Sequence, residues 1–242
     1  MSMHRQPNVD GEHGPAEDTR GAIVAAAILE IAAHGVEGAS LRAINVAAGC
    51  RNASAAHYHF GNKAALIEAG LRQVMAQVSA AQEPLLAALE ERVRFGRPMG
   101  VREVVEAVYL PYFALLTTPG FGPTAVKFIS RVLIESNEEL QAIVNELVSP
   151  IMQRCLVLLR AGAPHVPEEA LKLRILITIT NAVHGAGDFA AMANSPFGDM
   201  TGGNPTALLH GLFDYIAAAI VAPPTPFTAA DEARMASTLF PG

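Results

Sequence analysis

The chain has 242 residues, 51% of them hydrophobic and 6% aromatic, with no Trp and two Cys. That length accommodates one small and one larger domain around a sizeable core, and a net charge of −6 excludes a generally basic coat, so any nucleic-acid site must be a local patch. Cys50 and Cys155 lie far apart and offer neither a disulfide framework nor a metal-ligand spacing; both read as small buried residues in a reducing cytoplasm.

Ala, Leu, Ile and Val dominate, and strand-type alternation bounded by Asn-Gly or Asp-Gly turns is missing, so the expected fold class is all-α. Residues 1 to 18 are polar, carry Pro7, Gly11, Gly14 and Pro15, and read as a mobile arm without an assigned function. Thr19 to His34 has the pattern of a first helix, with Thr19 as cap, Ile23, Ala27 and Ile31 on one buried face, and Gly35 as the stop.

Ser40 to Lys63 holds Arg42, Arg51 and Lys63 and no carboxylate, a basic island in an acidic protein. Ser40 is a good N-cap; Leu41, Ile44 and Ala48 then give a short helix with one small apolar face, and Gly49 suits the turn after it. Asn52 or Ser54 can cap a second helix running toward Phe60, which Gly61-Asn62 closes before Lys63 begins another. Helix, short turn, helix is the arrangement whose second helix enters the DNA major groove.

Thr19 to Leu66 resembles the N-terminal DNA-binding domain of the TetR family of bacterial transcriptional regulators. The matching residues are Thr19-Arg20, Ile23-Val24, Ala26-Ala27, Gly35, Ala39-Ser40-Leu41, Ile44, Ala48-Gly49, His59-Phe60, Lys63 and Leu66. The stretch between Gly49 and His59 is one residue longer than the commonest family form. The family's phosphate-contacting Tyr position is held by His57, with Tyr58 one residue later, and Cys50 replaces the usual Val. The resemblance also implies a phosphate contact for Arg20.

Downstream, Asn62 to Gln82 reads as a long amphipathic helix with Leu66, Ile67, Leu71, Val74, Met75 and Val78 along its apolar stripe. Pro and Gly clusters then punctuate helices over Pro84 to Phe95, Val101 to Leu116, Thr124 to Glu135, Glu138 to Arg160, Glu168 to Met192 and Pro205 to Val221, with a last turn around Asp231 to Leu239. The expected division is an arm (1–18), a helix-turn-helix domain (19–66) and a helical ligand-binding and dimerisation domain (67–242). Leu173, Leu176, Ile177, Thr180 and Val183 on one late helix, and Leu208, Leu212, Tyr215 and Ile216 on the next, offer more apolar surface than a monomer needs. The family resemblance implies that this pair forms a four-helix bundle with a second copy, giving a homodimer.

The chemistry follows from side-chain type. Arg51, Asn52 and Ser54 are expected at base edges, and Ser40, Arg42, Tyr58 and Lys63 at phosphates, with His57 the alternative to Tyr58. In the larger domain Tyr109, Tyr112, Phe113, Phe128, Met152 and Phe189 can wall a pocket for an apolar or amphipathic effector. Asn181, His184 and Asp188 share one helix face and can line that pocket, form a buried polar cluster at the dimer contact, or bind a metal.

No nucleophile elbow, phosphate loop, dinucleotide fingerprint or zinc-protease motif is present, and neither a cofactor nor catalysis is expected. The apolar run Ala22 to Ala33 is interrupted by Glu30 and preceded by carboxylates, unlike a signal peptide, and Leu212 to Ala222 is far short of the ~20 residues that span a bilayer. The expectation is a cytoplasmic, ligand-responsive regulator that binds double-stranded DNA as a dimer, most simply a repressor. The alternatives are a helical protein-protein adaptor and a helical enzyme.

Overall fold

The structure, a computed structural model, describes residues 15–135, 137–187, 194–200 and 204–239. Among them it is all-α, apart from one isolated bridge between Ser195 and Gly198. The helices are α1 (Pro15–Gly38), α2 (Leu41–Ala47), α3 (Ala55–Phe60), α4 (Lys63–Arg94), α5 (Val101–Leu116), α6 (Gly122–Glu135), α7 (Glu138–Gly162), α8 (Glu168–Gly187), α9 (Pro205–Val221) and α10 (Ala229–Leu239).

The helix of α1 starts at Pro15, so residues 15 to 18 are helical rather than part of an arm, with Glu17 and Asp18 placed favourably in its first turn. The backbone leaves helical geometry at Gly35 (φ 79°, ψ 173°), where a stop was expected, and resumes for one short turn. Ile23, Ala27 and Ile31 are fully buried, as their spacing requires. Helix α1 packs most extensively on α6, and the junction with α4 is tight: a Cβ on Gly70 would lie 3.0 Å from Phe128 Cζ and 3.3 Å from Ile28 Cγ1.

Pro84 does not end a helix. Residues 63 to 94 form one continuous rod, although the ring removes the donor to the carbonyl one turn earlier. Side chains on either side hold the rod in place. Arg154 of α7 reaches Glu83 and Glu90, each at 2.6 Å, and Leu86 and Leu89 are buried. Gln82, also buried, donates to the carbonyl of Val108 at 2.8 Å, in the turn of α5 before Pro111, which has no N–H to donate.

Helix α8 lies between α6, α7 and α5, with α9 beside it. Arg174 donates to the Ile220 carbonyl at the end of α9 (2.7 Å), and Asn204 caps its start by accepting from Thr206 N (3.0 Å). The two apolar lines expected on α8 and α9 divide: Val183 and Ile216 are core, whereas Leu173, Leu176, Ile177 and Tyr215 are half or more exposed. By length and composition α1 and α7 would suffice to cross a bilayer; in this fold the apolar face of α1 is packed against α4 and α6.

Candidate nucleic-acid interface and cavities

Ser40 stands in extended backbone and its Oγ accepts from Ala43 N at 3.1 Å, which starts α2. Gly49 (φ 70°) reverses the chain, and Cys50 N closes back on the Asn45 carbonyl at 2.9 Å. Asn45 itself was missed by sequence reasoning. Its side chain is 1% exposed, donates from Nδ2 to the Ala53 carbonyl (2.6 Å) and accepts at Oδ1 from Ala56 N (2.8 Å). It therefore fastens α2 to both the turn and the first turn of α3. The available signal was an Asn in the middle of a short helix, where Asn is a poor helix former unless its amide has another task.

Helix α3 is six residues long, so Arg51, Asn52 and Ser54 stand on the turn leading into it, and of the residues expected at DNA only His57 and Tyr58 lie on the helix. Asn52 Oδ1 accepts from Ser54 N at 2.9 Å, an Asx turn that fixes the approach, while Ser54 makes no side-chain cap. Gly61 (φ 75°) ends α3, and Asn62 caps α4 through Ala65 N at 2.7 Å. Arg20, from the start of α1, stacks over the Phe60 ring at 4.8 Å, so α1 is braced against α3.

Arg20, Ser40, Arg42, Arg51, Asn52, Ser54, His57 and Tyr58 are all exposed, and Lys63 is half-buried. Tyr58 is 84% exposed, although a ring of that size is costly to leave in water, and Val46 of α2 is 72% exposed. His59 is half-buried, edge-on to Tyr58 with ring centroids 5.3 Å apart, consistent with a supporting position. Cys50 is half-buried rather than buried; Cys155 is in the core, where burial pushes its thiol up to about 12.

A carboxylate joins this end to the remaining helices. Glu135, the last residue of α6, accepts from Val36 N at 2.6 Å, in the break of α1, and is held by Arg131 at 2.9 Å. A Cβ on Gly35 would meet Glu135 Oε2 at 2.5 Å, so the break needs glycine for both its backbone angle and its room. Helix α4 is the second link, running from Lys63 beside α3 into the centre of the bundle.

Two spaces lie among the bundle helices. The first, about 240 Å³, is bordered by α4, α5, α6, α7 and α8 and includes Leu71, Met75, Tyr112, Met152 and Val183 in its wall. The second, also about 240 Å³, is a groove between α5, α8 and α9 lined by Phe113, Asn181, Leu212 and Tyr215. The expected pocket residues are thus divided: Tyr112 and Met152 border one space, Phe113 and Asn181 the other. Tyr109 borders only a void of about 20 Å³, and its hydroxyl donates to Thr178 Oγ1 at 3.0 Å.

Phe128 lines neither space. It is fully buried against Gly70 and Ile28, because only glycine on α4 leaves room for its ring. His184 turns toward α6, with Nδ1 2.9 Å from Ser130 Oγ, so it does not share a cluster with Asn181. Asp188 and Phe189 lie outside the described residues. Leu71, Met75 and the α7 residues Gln141 and Asn145 were not foreseen as cavity residues, because the spacing along one helix cannot say which space it faces.

Residues 106–219 match the model of the tetracyclin repressor-like C-terminal domain. Over these residues the chain is similar to the C-terminal domain of the TetR family. No curated protein matches the chain by sequence. Among solved structures, NalD of Pseudomonas aeruginosa, the secondary repressor of the MexAB-OprM multidrug efflux pump, is 21% identical with a TM-score of 0.58, over 86% of this chain and 98% of its own. A protein of Mesorhizobium loti MAFF303099 assigned to the TetR-family regulators is 14% identical with a TM-score of 0.55, over 87% and 98%. A protein of P. aeruginosa PAO1 assigned as a transcriptional regulator is 19% identical with a TM-score of 0.53, over 87% and 95%. These likenesses show the same helical fold over most of the chain.

Proposed function

We propose that the chain is a cytoplasmic, homodimeric DNA-binding repressor that a small ligand releases from an inverted-repeat operator. Residues 19 to 66 are its DNA-binding unit and residues 67 to 242 its ligand-binding and dimerisation unit. The observation that carries this reading is α4, a single helix with Lys63 beside the exposed polar face and Leu71 and Met75 in a cavity wall. A ligand that needs those two side chains displaced must act on the orientation of the helix-turn-helix.

Tyr58 and His57 on α3, with Arg51, Asn52 and Ser54 on the turn before it, face the groove, and Arg20, Ser40, Arg42 and Lys63 hold phosphates. Leu173, Leu176, Ile177 and Tyr215, exposed in the single chain, become buried against a second copy. The two-fold pairing sets α3 and its copy about 34–36 Å apart, one turn of DNA. Repression is favoured over activation by NalD, a repressor of similar fold. The ligand acts only through its preference for the state that does not fit DNA; a hundredfold loss of DNA affinity requires a coupling of ~2.7 kcal/mol.

Titrating the full chain against duplex DNA at several salt concentrations tests the reading. Arg42→Ala and Lys63→Ala are each expected to weaken binding to every duplex and to flatten the log–log salt slope by about 0.9, one phosphate contact. Slopes equal to that of the parent would remove both residues from the interface.

A further inference from the structure

The two tyrosines of α5 that face the interior differ in how their hydroxyls are satisfied. Tyr109 donates to Thr178 Oγ1 at 3.0 Å, an ordinary hydrogen bond. Tyr112, three residues on, has only the thioether of Met75 at 3.8 Å, a weak acceptor, and it borders the cavity between α4 and α8. Burial pushes the Tyr112 hydroxyl up to about 12, so it stays protonated and acts as a donor.

The rest of the lining offers little else that is polar. Thr180 donates to the Leu176 carbonyl at 2.9 Å, and Gln141 and Asn145 are exposed and bonded to each other at 3.1 Å. No Arg, Lys, His, Asp or Glu side chain is among the described residues of the wall. A buried ionic group would therefore lose its hydration with no opposite charge to replace it. The volume, about 240 Å³, lies below the ~300–1,000 Å³ of typical drug-sized sites.

We infer that this cavity takes a small, uncharged, apolar molecule carrying one hydrogen-bond acceptor oxygen, such as a ketone, ester or ether, and that the Tyr112 hydroxyl leaves Met75 to donate to that oxygen. The inference rests on the reading of this cavity as the effector site. It adds the chemical class of the ligand and names Tyr112 as the residue that selects it. Because Met75 is on α4, the exchange of partner acts directly on the helix that runs to the helix-turn-helix.

The test is a titration of the full chain, labelled with 13C in its Met methyl groups, with three probes of one size: 4-phenyl-2-butanone, butylbenzene and, at pH 8, 3-phenylpropionate. Shifts at Met75 and Met152 locate the binding. The ketone is expected to bind roughly two- to tenfold more tightly than butylbenzene, the contribution of one hydrogen bond, and more than tenfold more tightly than the carboxylate. In Tyr112→Phe, which keeps the ring, the advantage over butylbenzene disappears while butylbenzene still binds. A carboxylate that binds as well as the ketone, a ketone preference unchanged in Tyr112→Phe, or no saturable shift at Met75 and Met152 would overturn the proposal. No DNA is present, so the outcome is separate from the operator reading; ketone binding that leaves DNA affinity unchanged would instead count against the cavity's effector role.

Discussion

Residues 40 to 66 and the helices α5 to α9 are held by different means. At the helix-turn-helix end short-range polar contacts fix almost every junction: Ser40 to Ala43, Asn45 to Ala53 and Ala56, Asn52 to Ser54, Asn62 to Ala65. Between α5 and α9 the contacts are long-range and mostly apolar, with spaces among them. The first kind of structure presents polar groups at fixed positions, and the second can repack around a guest. The proposed coupling of a DNA-reading end to a ligand-sensing bundle would use that division, and Glu135 and α4 are where the two regions meet.

Breaking the rigid end should have the largest effect. Asn45→Ala leaves the Ala56 N–H and Ala53 carbonyl without their partner and should cost about 2–4 kcal/mol, measured by thermal unfolding, with faster hydrogen exchange at Ala56. Asn45→Asp keeps the acceptor and should recover part of the loss. Next is the junction itself. Gly35→Ala forces an L side chain into a glycine-only backbone region and toward the Glu135 carboxylate, a cost of about 1–3 kcal/mol. Glu135→Ala should speed exchange of the Val36 amide, whereas Glu135→Gln, which keeps an acceptor, should not; equal rates in all three proteins would mean that the carboxylate does not fasten α1 to α6.

Asn52→Ala should cost ~1–3 kcal/mol on a selected duplex and relax the sequence chosen; an unchanged preference would show that Asn52 serves only its Asx turn. The smallest effect belongs to the bundle side. Arg92, and the Gly100 N–H at 2.8 Å, hold the Glu103 carboxyl below the usual carboxylate range. Because its folded value is depressed, the stability it contributes is complete above the unfolded value of ~4.3 and is lost as pH falls through the folded value. Glu103→Gln should therefore be less stable than the parent at pH 7, with the difference closing at acid pH; a difference that persists there would exclude the ion pair as its cause.

The same division explains what could be read in advance. Ser40, Gly35, Gly49 and Gly61 were legible because a cap or a positive φ acts within four residues, and such chemistry is written locally. The contact of Glu135 with Val36 spans 99 positions and leaves no local trace. Pro84 misled for a related reason: the local rule predicts a break, but Arg154, Gln82 and Leu86 hold the helix through it. Phe128 and Tyr112 looked alike as pocket candidates, and only the position of Gly70 distinguishes a core ring from a cavity wall.

The central claim is that the helix-turn-helix end, presented twice by a dimer, grips duplex DNA. Selection of duplexes bound by the full chain from a random pool at low ionic strength tests it most directly. The account predicts enrichment of an inverted repeat with half-site centres about one helical turn apart, bound by two chains. A pool that emerges without a common sequence, or with a single half-site bound by one chain, would contradict it.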